Sequence, residues 1–437
     1  MIRLIYNLLW PIGLLLFLPG YVRKMSRRGG YRKKFGQRFG IYDKEVRDRL
    51  ACQTSIWLHA VSVGEVAIAL KLASAIKLLE PDARFVLTTT TTTGFSLATA
   101  NATPWIEVIY TPLDFWPIMR HAFNVIRPVK VVLTEAEIWP NFAAEAHTRK
   151  IPLALVNARL SPRSERRFQK FRAFVAPTFR LLDLVCVQEP EDAERWARLG
   201  VQRRQIHHTG SIKYDPGETE ERRSAPAVGL FHLNSGSNDL VLFGGSTHRG
   251  EEETLARVFL KLRPRFPSLS LFIAPRHVER VREIRKQLEA LSLNVKLRTD
   301  AQNHRDSRPD CILLDKTGEL QRWYEIATVV FVGKSLTAHG GQNPVEPILA
   351  GKPVIFGPHM ENFSALANRL IARGGAIQID DAEELESACD RLLRNSEECR
   401  RIVQNAEEVL NAHRGATSRT ARLVVDLAVA APLSRGA

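Results

Sequence analysis

Residues 56–65 read Ile-Trp-Leu-His-Ala-Val-Ser-Val-Gly-Glu, and this stretch decides the fold class. A short apolar strand runs into a turn of small residues, and an apolar helical run begins at Val66. Glu65 therefore lies in the first turn of a helix, where free N–H groups and the positive end of the helix dipole favour a carboxylate. Open α/β sheets bind ligands at the carboxyl ends of their strands. Glu65 is accordingly either a solvated capping residue or a base or substrate clamp.

The same alternation of strand and helix continues through both halves of the 437-residue chain. Strand-like runs are predicted at Ile56–His59, Phe85–Thr89, Val129–Thr134, Leu153–Val156 and Leu184–Val187, and again at Leu240–Phe243, Ser270–Ala274, Cys311–Leu314, Val329–Val332 and Val354–Phe356. Strands that alternate with helices predict parallel, doubly wound sheets, and this length suits two domains.

The predicted architecture is an α/β fold of two Rossmann-like domains that face a cleft. The first domain is predicted at 51–215 and the second at 239–410. A polar, turn-rich linker at 216–238 separates them. The C-terminal helix, within 411–437, is expected to pack back on the first domain.

The first 50 residues join an apolar run to a basic run. Leu4 to Val22 is about long enough to cross a bilayer, and residues 1–50 hold 12 Lys/Arg against 3 Asp/Glu. We therefore predict a membrane anchor at 1–22 and a basic juxtamembrane segment at 23–50 that contacts anionic lipids. The positive-inside rule then places the rest of the chain in the cytoplasm. A cleaved signal peptide is the competing interpretation, and whether the anchor spans the bilayer or lies in its interface stays open.

The net charge of +15 is concentrated in this N-terminal segment. Beyond residue 50 the chain carries 50 Lys/Arg against 44 Asp/Glu, which is nearly balanced. A nucleic-acid partner is therefore not expected, because such a footprint would be spread over a folded domain. The five cysteines are scattered without a CxxC pair, which favours neither a disulfide framework nor a structural zinc site.

In the second half, several polar motifs follow strand-like runs. Gly340-Gly341-Gln342-Asn343-Pro344-Val345-Glu346 combines two glycines, a proline suited to a helix start, and a carboxylate in reach of ribose hydroxyls. Gly244 to His248, Arg276-His277 and Thr317-Gly318-Glu319 each follow a strand-like run as well. Each motif is weak by itself. Their recurrence at one edge of a sheet predicts a nucleotide site.

In the first half, two acids spaced by one residue, Glu135 and Glu137, follow a strand directly before Trp-Pro. Such a pair is hard to explain as a solvated face. Lys213 closes this half and is either a surface residue or a functional cation. No Asp-x-Asp triplet occurs, and no His/Asp cluster has metal-ligand spacing, so we expect no metal cofactor. Positive charge on a leaving phosphate would come from Lys213, Arg276 and helix dipoles.

These motifs resemble one family, the 3-deoxy-D-manno-octulosonic acid (Kdo) transferases of lipopolysaccharide synthesis. The resemblance covers nearly the whole chain, including the N-terminal anchor. It is carried by seven motifs in order, at 59–65, 135–141, 157–161, 210–213, 246–248, 275–277 and 340–346.

The resemblance implies the GT-B fold and an inverting, metal-independent transfer of Kdo from the substrate CMP-Kdo to a lipid A precursor (lipid IVA) at the cytoplasmic face of the inner membrane. It implies that Glu65 is the general base and that Glu135 and Lys213 stabilise the transition state. The residues that it implies as CMP contacts are Arg276, His277, Thr317, Gly318, Glu319, Asn343, Pro344, Val345 and Glu346. Three positions depart from the family pattern: Gln37 replaces an acid, Lys334 a glycine and Gln342 a histidine.

Two alternatives remain. Another membrane-associated GT-B transferase, such as a relative of lipid A disaccharide synthase or of the heptosyltransferases, would differ in its donor. A membrane-tethered nucleic-acid-binding protein would explain the basic segment but not the motifs around Glu65, Glu135 and Asn343–Glu346. The number of Kdo units transferred, the acyl preference and the oligomeric state are not encoded in any motif.

Overall fold

A computed structural model describes residues 3–11, 13, 34–51, 54–160, 162–215, 239–300, 309–316 and 320–427. The chain divides into two compact units. The first unit comprises Met1–Glu218 together with His413–Ala437, and the second comprises Thr219–Ala412. The linker predicted at 216–238 lies outside the described residues.

The first unit is built on a seven-stranded sheet in the order β3-β2-β1-β4-β5-β6-β7. All neighbouring strands are parallel. The strands are β1 Ser55–Ala60, β2 Phe85–Thr89, β3 Ile106–Tyr110, β4 Pro128–Thr134, β5 Leu153–Ala158, β6 Leu184–Val187 and β7 Ile206–His208. The sequence pattern missed β3, whose apolar run is interrupted by Glu107, and β7, the short and partly exposed edge strand.

Helices connect these strands. They are α1 (residues 3–11), α2 Lys44–Ala51, α3 Val63–Leu79, α4 Thr92–Ala100, α5 Trp116–Ile126, α6 Pro140–Thr148, α7 Pro162–Lys170, α8 Arg172–Phe179 and α9 Pro190–Arg198. A short 3₁₀ helix at Phe35–Phe39 precedes α2, and a second at Arg203–Gln205 precedes β7.

Each face of this sheet buries an apolar core. Trp57, Phe123 and Phe142 meet on one face, with ring centroids of Trp57 and Phe142 4.5 Å apart. The other face packs against α3 and against the C-terminal helix α17, Ala416–Asp426. Because both faces are covered, the central strands are apolar throughout instead of alternating, as parallel sheets require.

The second unit repeats this plan with a parallel sheet in the order β10-β11-β9-β8-β12-β13-β14. Its strands are β8 Leu240–Thr247, β9 Leu269–Pro275, β10 Val295–Leu297, β11 Cys311–Leu313, β12 Val329–Val332, β13 Val354–Phe356 and β14 Ile377–Gln378. Its helices are α10 Glu251–Leu262, α11 Val281–Glu289, α12 Leu320–Tyr324, α13 Val345–Leu349, α14 Ser364–Ala372, α15 Ala382–Arg394 and α16 Ser396–Asn411, with 3₁₀ turns at Val278–Arg280 and Glu361–Phe363.

The N-terminal helix α1 packs on the first unit through polar side chains. Arg3 forms an ion pair with Glu145 at 2.8 Å, and Tyr6 donates a hydrogen bond to Asp114. None of the helices in the described part of the chain is both long and apolar enough to cross a bilayer. More than half of the anchor predicted at 1–22 falls outside the described residues, as do residues 23–33 of the basic segment at 23–50, so both stay predictions.

Candidate active site

Glu65 lies at the carboxyl end of β1, in the first turn of α3, and is 7% exposed. Ser62 is the N-cap residue, and its hydroxyl accepts a hydrogen bond from the Glu65 N–H. The Glu65 carboxylate in turn accepts bonds from the Val61 N–H at 2.9 Å, the Ser62 hydroxyl at 2.7 Å and the Thr134 hydroxyl at 3.1 Å. Thr134 ends the adjacent strand β4, so the side chain bridges two strand ends. Glu65 is thus held in one position and is not a solvated cap.

Two more carboxylates adjoin Glu65 at the end of β4. Glu135 has a positive φ of 56°, an uncommon conformation for a residue with a side chain, and one that is found disproportionately at functional sites. Burial raises the pKa of Glu135, and the charge of Glu65 raises it further. Burial together with Glu65 also raises the pKa of Glu137, to about 7. The two predicted acids, both half-buried, therefore belong to one acidic cluster with the buried Glu65.

Two cations oppose this acidic cluster, Lys213 and Arg159. Each lowers the pKa of Glu135 electrostatically. The pKa of Lys213 is itself lowered, mainly by burial, while the charge of Glu135 counteracts the shift. The loop that carries Lys213 is fixed by Asn157, whose side-chain oxygen accepts the Ile212 N–H at 2.9 Å. Asn157 ends β5 with a positive φ of 52°, which turns its side chain toward this loop's backbone.

The first unit therefore holds three carboxylates beside two cations at one sheet edge. A buried carboxylate can take a proton from a hydroxyl group when its pKa is close to the working pH. A neighbouring lysine can stabilise negative charge that develops on a reacting group. This arrangement fits proton abstraction from an alcohol coupled to group transfer.

In the second unit the corresponding edge is cationic. His248 follows β8, and its ring lies 5.5 Å from the ring of His277, centroid to centroid. Burial lowers the pKa of His248 to about 4, and the charges of Lys334, His277, Arg280 and Arg276 lower it further. Positive groups from three strand ends thus converge. Such a cluster attracts phosphate and carboxylate groups.

Glu251, the first residue of α10, organises the loops at this edge. It is fully buried and accepts four backbone hydrogen bonds, from the N–H groups of His248, Lys334, Ser335 and Leu336, at 2.8 to 3.1 Å. These N–H groups follow β8 and β12, so Glu251 ties the two loops together. The His248 N–H is therefore engaged by the protein's own carboxylate.

The Asn343 to Glu346 motif lies after β12 and begins α13. The Asn343 side chain accepts the Val345 N–H at 3.0 Å and donates to Glu346 at 3.1 Å. Burial raises the pKa of Glu346, while Arg276 lowers it electrostatically, which brings these two predicted contacts into one neighbourhood. Pro344 stands one position before the helix. Asn343, Glu346, Arg276 and His277 therefore share one edge of the second sheet.

Comparison with known proteins identifies the family. A family model described as 3-deoxy-D-manno-octulosonic-acid transferase (kdotransferase) matches residues 33–216. A 3-deoxy-D-manno-octulosonic acid transferase of Haemophilus influenzae is 32% identical over 412 residues, which cover 93% of each chain. One from Bordetella pertussis is 32% identical over 91% of this chain and 93% of its own. The chain belongs to the Kdo transferase family. It is therefore a glycosyltransferase, as the sequence motifs predicted.

Solved structures support the fold of this transferase. A UDP-GlcNAc 2-epimerase from Neisseria meningitidis bound to UDP-GlcNAc aligns with a TM-score of 0.53, covering 86% of this chain and 99% of its own at 12% identity. This likeness concerns the fold alone. It agrees with the prediction of two parallel-sheet α/β domains that resemble GT-B glycosyltransferases.

Most predicted site residues of the transferase fall into these two groups. Glu65, Glu135 and Lys213 meet in the first unit, while Arg276, His277, Asn343 and Glu346 meet in the second, with Pro344 and Val345 on their backbone. Thr317, Gly318 and Glu319 lie outside the described residues. Sequence analysis did not select Arg159, Glu137, Lys334 or Glu251 as site residues, although Glu137 stands in the acidic motif. Of these four residues, Lys334 has a positive φ, a feature that cannot be read from the residue type.

The three departures from the family pattern have structural settings. Gln37 is buried and accepts the Tyr110 N–H at 3.0 Å, a bond that an acid at this position could also make. Lys334 has a φ of 57°, a conformation that glycine adopts without strain. Its neighbour Gly333 has no room for a side chain, because a Cβ would lie 2.4 Å from the Ser246 carbonyl oxygen. The Gln342 side-chain nitrogen lies 3.4 Å from His248 Nε2.

Within the described ranges, one set of side chains could hold a metal ion. His339, His359 and Glu361 bring ligand atoms within 4.8 Å of one another on the second unit. The Glu361 carboxylate already accepts the Gly340 N–H, and His339 Nδ1 lies 3.1 Å from it. These contacts satisfy the three groups without an ion. The expectation that the reaction needs no metal stays a prediction.

Proposed function

We propose that this transferase moves Kdo from CMP-Kdo to a sugar hydroxyl of a lipid A precursor (lipid IVA), with inversion and without a metal ion, at the cytoplasmic face of the inner membrane. One observation carries the proposal above the others. Glu65, which is buried, forms an acidic cluster with the half-buried Glu135 and Glu137 beside Lys213 and Arg159, and this cluster suits deprotonation of an acceptor hydroxyl.

Glu65 is the proposed general base. Its carboxylate is held by two hydroxyl groups and one backbone N–H, and hydroxyl groups can rotate to release it when a substrate hydroxyl arrives. Lys213 and Arg159 then offset the negative charge of the cluster and of the anionic donor. Glu135 is proposed to stabilise the transition state by fixing Lys213. Glu137 is the competing base, because its pKa of about 7 matches neutral solution.

The second unit supports an anionic nucleotide donor. CMP-Kdo carries a phosphate and a sugar carboxylate on one carbon, so its recognition needs concentrated positive charge. Arg276, His277 and Lys334 supply such charge at one sheet edge, and Glu346 can accept hydrogen bonds from ribose hydroxyls. Helix dipoles and these cations would take the place of a metal on the leaving phosphate.

Mass analysis of a single reaction tests the proposal. The full chain is incubated with a tetra-acylated lipid A precursor and CMP-Kdo, and parallel reactions contain UDP-N-acetylglucosamine or ADP-heptose. We expect the acceptor to gain the mass of one or more Kdo units from CMP-Kdo only. Transfer from a UDP- or ADP-sugar, with none from CMP-Kdo, would overturn the assignment. NMR of the new glycosidic bond reports inversion, and activity that persists in EDTA reports independence of metal.

A further inference from the structure

A cavity of about 610 Å³ lies in the first unit. We call it the N-terminal cavity and define it by six of its lining residues: Leu9, Trp10, Phe35, Phe39, Trp139 and Phe142. Small-molecule sites commonly measure about 300–1,000 Å³, so this volume admits a ligand. The lining is almost wholly apolar, which excludes a sugar or a nucleotide as its occupant.

Helix α1 forms one wall of the cavity. Its polar face is turned toward the protein and its apolar face toward the outside, the reverse of a surface helix on a soluble protein. Its polar residues face the protein: Arg3 and Asn7 both bond to Asn141, and Tyr6 bonds to the buried Asp114. Its apolar residues face outward, with Leu4 64%, Leu8 66% and Leu9 58% exposed. A surface helix normally shows the opposite pattern. An outward apolar face is stable where hydrocarbon replaces water.

The rim of the cavity joins this outward face. Leu9 lines the cavity and is also exposed, and so are Phe39 and Trp139, at 36% and 41%. Leu9 therefore belongs both to the apolar surface of α1 and to the lining of the cavity.

The lining of the cavity also reaches the proposed catalytic groups, through Trp139. Trp139 lines the cavity, and its side chain forms a hydrogen bond with Glu137 of the acidic cluster. Thr90 and Thr111, at the ends of β2 and β3, line the same wall. Arg38 also lines it, is buried, and donates a hydrogen bond to the Thr90 carbonyl oxygen at 2.7 Å. A chain bound here would leave its polar head beside the acids and near a fixed positive charge.

We propose that the N-terminal cavity binds one acyl chain of the acceptor lipid and that α1 forms the wall which guides the chain from the membrane. This inference rests on the proposed function, because it assumes an acylated acceptor. Each methylene group moved from water into such a cavity contributes about 0.8 kcal/mol, so a buried chain would dominate acceptor affinity. Binding of the acyl chain thereby positions the sugar hydroxyl beside the carboxylates.

Gly13 offers a way to fill the cavity. Gly13 lines the cavity, and a Cβ atom added there meets no atom of the described residues within 4 Å, so a larger side chain at this position has space to enter the cavity. Leu8→Phe is the matched control, because it adds a ring to the same helix at a side chain that points outward and does not line the cavity. Both variants are compared with the wild-type full chain in detergent micelles.

Initial rates are measured with a tetra-acylated acceptor and with its fully deacylated, water-soluble counterpart. We expect Gly13→Phe to raise KM for the acylated acceptor by about tenfold, or about 1.4 kcal/mol, and to leave KM for the deacylated acceptor and for CMP-Kdo unchanged. Leu8→Phe should leave all three unchanged. An equal effect of Gly13→Phe on both acceptors, or no effect on either, would refute an acyl site.

A second measurement does not depend on activity. The fluorescent fatty acid cis-parinaric acid is titrated into each protein, with energy transfer from tryptophan as the signal. Saturable binding to wild type and to Leu8→Phe, but not to Gly13→Phe, supports the cavity even if no Kdo is transferred, in which case only the proposed function fails. Absence of saturable binding to wild type overturns the inference.

Discussion

The two units place a buried glutamate at the same point of the same sheet plan and use it differently. β1 and β8 are each the first strand of their unit. β1 lies between β2 and β4, and β8 lies between β9 and β12. Glu65 lies in the first turn of α3, and Glu251 is the first residue of α10. The Glu65 carboxylate accepts a hydrogen bond from Thr134 at the end of β4, and the Glu251 carboxylate accepts one from Ser335 after β12. Glu65 accepts one backbone N–H and two hydroxyls, whereas Glu251 accepts four backbone N–H groups.

This difference separates chemistry from architecture. Backbone N–H groups cannot turn away, so a carboxylate bound by four of them stays an anchor for loops. Hydroxyl groups can rotate, so Glu65 can exchange one partner for a substrate hydroxyl. Glu135 and Lys334 show the same contrast. They follow the equivalent strands β4 and β12 with φ angles of 56° and 57°, but they carry opposite charges. One sheet edge is thus suited to accept protons and the other to bind anions.

Replacement of Glu65 by glutamine tests the chemical half of the contrast most strongly. We expect kcat to fall by about 10²–10⁴, the usual contribution of a general base, while the affinity for CMP stays unchanged. Initial rates and calorimetric titration with CMP report the two quantities. Glu137→Gln is the matched variant and should lose less activity. A larger loss in Glu137→Gln would move the base to that residue, and equal loss of CMP affinity in Glu65→Gln would contradict a catalytic role.

Replacement of Glu251 by alanine tests the architectural half. The change leaves four backbone N–H groups without their acceptor, and each buried, unpaired donor costs about 1–3 kcal/mol unless water reaches it. We expect unfolding of the second unit to lose about 3 kcal/mol or more, seen as a lower transition temperature in scanning calorimetry. Glu253→Ala, on the same helix, removes only an exposed pair with Arg257 and should change little. Similar melting of the two variants would deny Glu251 its anchoring role.

A pH series sharpens the account of the acidic cluster. The pKa of Glu137 is raised to about 7, mainly by burial and by the charge of Glu65. Between its unfolded pKa, about 4.3, and 7 the folded state holds a proton that the unfolded chain has released, so stability falls as pH rises through this window.

Glu137→Gln should reduce the loss of unfolding free energy between pH 5 and pH 8. We expect the reduction to be on the order of 1 kcal/mol after solvent screening, measured by calorimetry at each pH. Glu191→Gln, an exposed change on α9, is the control and should keep the wild-type slope. If the free energy of unfolding varied with pH equally in wild type and Glu137→Gln, the pKa of Glu137 would not be raised in the folded state.

The smallest expected effect concerns Lys334. A left-handed conformation destabilises a residue with a Cβ by about 1–2 kcal/mol, and glycine avoids this loss. Part of the gain is offset because glycine has more conformational freedom in the unfolded chain. We expect Lys334→Gly to be more stable than Lys334→Ala by about 0.5–1 kcal/mol, measured by calorimetry. Both variants lose the ammonium group and should weaken CMP binding equally. Unequal CMP affinities would show that the loop conformation, and not the charge, holds the nucleotide.

The sequence reveals the fold more fully than the site. Buried parallel strands are apolar throughout, so β1, β4 and β12 are visible as runs, whereas Val295–Leu297 and Ile377–Gln378 are too short to stand out. Glu65 could be selected because its place after a strand follows from local sequence. Arg159 and Glu251 could not, because their roles depend on chain segments 54 and 85 residues away, Lys213 and Leu336, that only the folded sheet brings near.

The C-terminal helix α17 has a consequence for how this protein is made. Ala421 and Val424 belong to the same buried cluster as Ile68 and Leu72, and Asp215 accepts the N–H groups of Gly415 and Thr417. On the ribosome, the opening two hundred residues therefore emerge with the apolar surface that α17 covers, on α3 and the adjoining strands, still exposed. That surface stays open until the whole second unit has been synthesised, so a nascent chain exposes it to chaperones for much of its translation.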